Sequence, residues 1–288
     1  MKTLSSTSGS QSTRSKPPLL WLGLLGLGGL GLGASLLAPR SSPPASTPQV
    51  AVAPAKPEEV RRLKWRVTRA IPHDRSAFLQ GLLWDSGGFY ESTGIEGQSS
   101  LRRVAYPSGQ VEKKRALPRD VFGEGLVAWK DRLIQITWQS NRAFVWDKET
   151  FEPRGEFSYP GEGWGITSDG SQLIMSDGSS TLFFRDPEGF KVKRTLPVTL
   201  GDVPVKNLNE LEFIDGLVWA NVWQTDSIVC IDPQSGKVRA TLDLKGILPA
   251  SQRNGREDVL NGIAHDPKTG RTWVSGKLWP KIFEIEVD

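Results

Sequence analysis

The chain has 288 residues, enough for one or two domains, with 36 Lys and Arg against 32 Asp and Glu, two His and a single Cys. Residues 1–57 hold five bases (Lys2, Arg14, Lys16, Arg40, Lys56) and no acid, so the remainder carries 31 basic and 32 acidic residues; a nucleic-acid partner, which wants a basic face on the folded part, gets no support. Cys230 alone cannot form an intrachain disulfide, and His73 and His265 stand too far apart in sequence to suggest a zinc site, so no metal or other cofactor is expected.

Residues 1–18 are polar and basic, and residues 19–38 form an uncharged apolar run of 20. That length suits a long signal peptide or a single membrane anchor. Gly33 and Ser35, and later Ala51-Val52-Ala53, offer small residues for cleavage. The bases ahead of the run place the N-terminus in the cytoplasm, so the rest is expected to be exported: periplasmic or otherwise extracytoplasmic, secreted or held at the membrane. Pro17-Pro18 and Pro39 bracket the run and argue against a buried core helix. Residues 39–57 are rich in Pro, Ala and Ser and begin a linker expected to reach residue 62.

From 63 to 288 the chain reads as short strands separated by turn signals. A polar or aromatic cluster recurs just ahead of an apolar strand: Phe78-Leu79-Gln80-Gly81-Leu82, Phe122-Gly123-Glu124-Gly125-Leu126, Glu162-Gly163-Trp164-Gly165-Ile166, Leu208-Asn209-Glu210-Leu211-Glu212 and Leu260-Asn261-Gly262-Ile263-Ala264. With Gln80, Glu124, Trp164, Glu210 and Asn261 taken as equivalent, the spacings are 44, 40, 46 and 51. A period of this size with four strands per repeat predicts an all-β, five-bladed β-propeller of four-stranded antiparallel blades, with the repeated positions converging on its axis. A pair of β-sandwiches would leave the five copies unexplained. The last repeat stops at its third strand, 282–287, and residues 63–67 form an unmatched strand candidate, so N- and C-terminal strands are expected to pair and close the ring.

Taken in order, these clusters resemble a known family. Phe78-x-Gln80-Gly81-Leu82, Tyr90-Glu91-Ser92-Thr93-Gly94, Gly97-Gln98-Ser99-Ser100-Leu101, Phe122-Gly123-Glu124-Gly125, Thr137-Trp138, Gly161-Glu162-Gly163-Trp164-Gly165, Asn209-Glu210-Leu211-Glu212, Asn221-Val222-Trp223-Gln224-Thr225-Asp226, Leu260-Asn261-Gly262-Ile263-Ala264 and Gly276-Lys277-Leu278-Trp279-Pro280 together look like the plant and bacterial glutaminyl-peptide cyclotransferases of the papaya type. The resemblance covers the whole of the folded part. It implies a five-bladed propeller, peptide or protein substrates with N-terminal glutamine, and their conversion to pyroglutamate with release of ammonia and no catalytic metal. It further implies that Glu124 is the acid/base carboxylate and that Phe78, Gln80, Trp164, Asn209, Trp223 and Lys277 form the pocket.

The chemistry wants such residues. The α-amine must attack the side-chain amide carbon, and one carboxylate can take the amine proton and hand it to the departing nitrogen. Gln80, Asn209 and Lys277 supply donors for the developing oxyanion or the carboxamide, and Asn209 and Lys277 are counted with Glu124 as catalytic. Phe78, Trp164 and Trp223 supply a wall that folds glutamine toward a ring. Two other functions remain open at this level: a non-catalytic propeller that binds peptide or carbohydrate, and a calcium-dependent, lactonase-like propeller, which would need several axial carboxylates around one ion. The short polar runs at Asp147, Asp186 and Asp232 read as turns, and Glu162 and Glu210 as structural carboxylates more than catalytic ones. Nothing in the sequence sets an oligomeric state.

Overall fold

Short runs of alternating polarity broken by turn residues become strands along nearly the whole described chain. The computed structural model describes residues 59–288; the leader, its cleavage sites and the linker up to residue 58 lie outside the described residues. In chain order come β1 (Arg61–Leu63) and β2 (Trp65–Pro72), then blade 1 with β3 (Leu79–Asp85), β4 (Gly88–Thr93), β5 (Ser100–Ala105) and β6 (Val111–Ala116). Blade 2 holds β7 (Gly123–Trp129), β8 (Arg132–Thr137), β9 (Arg142–Asp147) and β10 (Pro153–Ser158). Blade 3 holds β11 (Ile166–Ser168), β12 (Leu173–Met175), β13 (Thr181–Arg185) and β14 (Val192–Pro197), and the small hairpin β15 (Thr199–Leu200) and β16 (Val203–Pro204) follows it. Blade 4 holds β17 (Leu208–Ile214), β18 (Leu217–Val222), β19 (Ser227–Ile231) and β20 (Val238–Asp243). Blade 5 holds β21 (Leu260–Asp266), β22 (Arg271–Gly276) and β23 (Lys281–Val287), with β2 as its outer strand. The molecule is a five-bladed propeller.

Strands of blades 1 to 4 run outward in sequence order, blade 5 takes β2 beyond β23, and the four strands of each blade pair antiparallel. The first strand of each blade touches the first strand of the next all the way round, β3 to β7, β11, β17, β21 and back to β3, which makes it the innermost. The core is accordingly divided into five apolar wedges, one at each blade-to-blade seam. The seam between blades 5 and 1 is the ring-closing one. There Trp84 stacks on Trp273 with centroids 4.4 Å apart, around buried Leu79, Leu82, Phe89 and Ile282. Each wedge buries large apolar side chains from two blades, so no blade is stable without its neighbours.

Closure follows the expected pairing with shifted bounds. β2 runs antiparallel to β23 from Trp65 opposite Val287 to Pro72 opposite Lys281, so the closing strand starts two residues later than the candidate at 63–67 and extends five further. Residues 61–63 go elsewhere: β1 adds in parallel to the outer edge of blade 4, Arg61 opposite Ala240 and Leu63 opposite Leu242. The sheet therefore takes in Arg61 and Arg62, which composition placed in the linker. The reason is apolar cover. The outer strands β6 and β10 are exposed along almost their full length, but β20 alternates buried and half-buried because β1 lies on its edge and Leu63 packs onto the wedge between blades 4 and 5.

Candidate active site

Every full-length inner strand breaks register near its start. The irregularities fall between Leu79 and Gly81, Gly123 and Leu126, Leu208 and Leu211, and Leu260 and Ile263. A β-bulge re-aims one side chain, and here it turns a polar residue inward in each blade. Counted from the paired residues Leu82, Leu126, Leu211 and Ile263, the residue two positions earlier is Gln80, Glu124, Asn209 and Asn261. In blade 3 the strand is shorter, and Trp164 holds that place two residues before Ile166.

The fourth repeat thus departs by one residue from the sequence alignment of the repeats: Asn209, not Glu210, is the equivalent of Glu124. Glu210 occupies instead the position that is Gly81, Gly125, Gly165 and Gly262 in the other blades. Glycine is required there because adjacent inner strands nearly touch: a Cβ on Gly125 would lie 2.7 Å from Ile166 N, and one on Gly165 would lie 2.0 Å from Asn209 O. Blade 4 admits a side chain at this point, and the Glu210 carboxyl reaches across to take the backbone N–H of Leu82 (3.2 Å) and of Ile263 (2.8 Å). The same close approach accounts for the glycine after Glu124.

At one end of the axis a cavity of about 280 Å³ is lined by Phe78, Gln80, Phe122, Glu124, Trp138, Trp164, Asn209, Trp223, Asp258 and Lys277. All seven residues singled out from the sequence meet in it. Two of the five repeated positions do not: Glu210 bridges blades behind the cavity, and Asn261 supports from below, its Nδ2 donating to the Leu79 carbonyl (3.1 Å) and to Gln80 Oε1 (3.4 Å). Phe122, Trp138 and Asp258 are additions. The first two sit inside motifs already noted, next to Gly123-Glu124 and Thr137. Asp258 had no signal, because it lies in an irregular loop.

Aromatic rings form a belt around the cavity. Phe78 meets Phe122 edge-on at 6.0 Å, Phe122 meets Trp138 at 5.9 Å, and Trp164 meets Trp223 at 5.4 Å. Glu162 joins the two halves: its Oε2 accepts the indole N–H of both Trp138 (2.8 Å) and Trp164 (2.9 Å), while Oε1 accepts from Gln139 (2.9 Å). Burial pulls the Glu162 carboxyl up, but these three bonds outweigh it and hold it below its ordinary value. Glu162 is therefore an ionised brace for the tryptophans.

Glu124 is buried at 5 % exposure and Gln80 Nε2 donates to its Oε1 at 2.9 Å. Burial drives its pKa well above the carboxylate range; Lys277 pulls it back down, and the Glu162 charge pushes it further up. Lys277, equally buried, is lowered by that burial against the attraction of Glu124 and Asp258, and its Nζ lies 5.0 Å from the centre of the Phe78 ring. Both shifts run toward the acid and amine in neutral form. Asn209 is buried on the same wall and its Oδ1 has no hydrogen-bond partner among the described residues. Among the described residues no group of three or more His, Cys, Asp or Glu is placed to hold a metal ion.

The arrangement has known counterparts. A family model described as glutamine cyclotransferase matches residues 41–287. A glutaminyl-peptide cyclotransferase of Arabidopsis thaliana is 40% identical over 225 residues, 77% of this chain and 70% of the relative. The crystal structure of Myxococcus xanthus glutaminyl cyclase superposes with a TM-score of 0.75 at 37% identity, covering 80% of this chain and 99% of that one. By sequence, fold and extent of match, the chain belongs to the glutamine cyclotransferase family.

Proposed function

We propose that Glu124 is the acid/base of the glutaminyl-peptide cyclotransferase activity that this chain carries as a member of the family, with Lys277, Asn209 and Gln80 as its polar partners. The observation that carries this reading is one buried carboxyl, raised in pKa, in the lining of an aromatic-walled cavity of about 280 Å³. An N-terminal glutamine enters side chain first. Asn209 Oδ1 accepts from the carboxamide, and the rings of Phe78, Trp164 and Trp223 press the side chain toward a five-membered ring. The α-nitrogen attacks the amide carbon, Glu124 takes one amine proton, and the carbonyl oxygen becomes an oxyanion opposite the Lys277 ammonium. Glu124 then returns the proton to the amide nitrogen, the carbon–nitrogen bond breaks, and ammonia leaves pyroglutamate behind. A carboxyl raised by burial is a stronger base toward the amine proton than a free one, which suits Glu124 to both transfers. Holding amine and amide at attack distance supplies a further share of the rate.

Proton transfer through Glu124 requires no metal. The test is ammonia release from a Gln-initiated dipeptide by the purified protein: turnover unchanged by a chelator is expected, and loss that returned with added metal would overturn the metal-free reading. We further propose export, with the apolar run of residues 19–38 as signal or anchor, supported by its length and by the bases ahead of it. Fractionation of cells making the full chain would decide between a released periplasmic and a membrane-bound form, and a cytoplasmic location would refute export. Among the described residues no helix is long and apolar enough to cross a membrane.

A further inference from the structure

His73 is absent from the lining of the cavity that holds Glu124 and sits beneath the ring-closing seam with 7 % exposure. Its Nδ1 lies 2.8 Å from the Trp279 carbonyl oxygen. A carbonyl only accepts, so Nδ1 carries a proton. Its backbone N–H donates to the Pro280 carbonyl at 2.9 Å. On the far side Nε2 lies 3.2 Å from Glu91 Oε1, both side chains shut off from solvent. With Nδ1 already protonated, that contact is attractive when a second proton is shared between ring and carboxyl. Burial lowers the pKa of His73, and the Glu91 charge together with the bond to Trp279 reverses this and raises it. The other charges nearby are Arg102 and Asp74, which pair with each other at 2.8 Å; Arg102 also donates to Ser100 Oγ.

The two carbonyls held by His73 belong to the turn that follows β22 and carries Lys277. That turn is under constraint: Leu278 has φ of +62°, a left-handed conformation costly for leucine. Neighbours hold it from two sides. The Lys277 N–H donates to the Val259 carbonyl (3.0 Å) and the Trp279 indole to the Asp258 carbonyl (2.9 Å), both in the loop that leads into β21. The Asp258 N–H donates to the Lys277 carbonyl at 3.0 Å, the Ala77 carbonyl accepts the Leu278 N–H at 2.8 Å, and His73, which follows β2, adds two more bonds. The segment 73–78 also carries Phe78, over which the Lys277 ammonium lies.

We propose that the His73–Glu91 pair is the positioning device for Lys277: the His73 ring holds the Trp279 carbonyl, Glu91 of blade 1 holds the ring from across the seam, and together they set where the ammonium stands relative to Phe78 and Glu124. The inference rests on the role given to Lys277 above. Neither His73 nor Glu91 touches substrate.

A double-mutant cycle on the full chain tests it, with kcat and KM for a Gln-initiated dipeptide and thermal unfolding measured together. His73→Phe is expected to lower kcat by about tenfold to a hundredfold, since misplacement of a catalytic group by an ångström costs that much, with KM moved by less than about threefold. His73→Asn keeps an amide donor toward the Trp279 carbonyl and should recover most of the loss. Adding His73→Phe to Lys277→Met should cost almost nothing more, because the positioned group is already gone. Equal losses in both backgrounds, or a fall in kcat that only tracks the folded fraction, would overturn the positioning role. If His73→Phe does not fold, Glu91→Gln carries the same cycle. Should Lys277→Met itself keep normal turnover, the assignment of Lys277 fails; should it lose turnover while the His73 variants do not, the positioning inference alone fails.

Discussion

Glu124 and Glu210 are both buried carboxyls beside the propeller axis, and burial raises both well above the usual range. Their surroundings differ in what the oxygens meet. Glu210 spends one oxygen on the N–H of Leu82 and the other on that of Ile263, stitching blade 4 to blades 1 and 5. Glu124 accepts from Gln80 on one oxygen and faces a cavity that also holds Lys277. A shifted pKa in a buried acid is thus no mark of catalysis by itself; the free oxygen in a cavity beside a cation is what separates the two.

The contrast breaks most sharply at Glu124→Gln. The amide keeps shape and hydrogen bonding but carries no proton between nitrogens, so turnover should fall by about 10²–10⁴-fold while the unfolding midpoint does not drop. Steady-state ammonia release and a thermal melt check both halves; near-normal turnover would remove Glu124 as acid/base. Glu210→Ala should do the reverse. It strands two buried N–H groups, each costing about 1–3 kcal/mol, so denaturant unfolding should show a loss of about 2–6 kcal/mol, with kcat per folded molecule little changed.

Glu212 sharpens the structural side through pH. Burial pushes its carboxyl up to about 8, against bonds from the His265 N–H and Thr167. A carboxyl raised on folding stabilises fully below its unfolded value, near 4.5, and loses that stabilisation as pH climbs toward 8. Unfolding free energy should therefore decline across that range, and Glu212→Gln should make the decline shallower by up to about 1.4 kcal/mol per pH unit. A slope unaffected by the substitution would mean the group titrates normally. The smallest effect is expected from Glu162→Gln. It keeps an acceptor for the two indoles but deletes a charge that raises Glu124, so the acidic limb of kcat/KM should move to lower pH while KM rises by no more than about threefold. A shift to higher pH would contradict the electrostatic coupling.

How far the sequence could be read varies with the residue. Gln80 and Glu124 were visible because each stands beside the glycine that marks close approach of inner strands. Asn209 was found, but the repeat alignment favoured its neighbour Glu210, since blade 4 alone replaces that glycine and polarity alone does not tell which of two adjacent polar residues a bulge turns inward. Trp138 was seen as a motif residue without a role, because its place in the belt depends on Glu162 bridging two loops 20 or more residues apart. His73 read as an ordinary histidine: its partners Glu91 and Trp279 come from the first and last blades and meet only when the ring closes.

The sequence by itself determined the number of blades, the strand order within each and the pairing of the chain's two ends, because these follow from local alternation, turn residues and a period repeated five times. Tertiary structure decided which side chain each bulge presents to the axis, which acid is committed to backbone donors and which is open to a cavity, and how the turn bearing Lys277 is held. Those depend on contacts between inner strands of different blades. Such contacts are set by the angle and spacing at which whole blades pack, and no local pattern of residues encodes them.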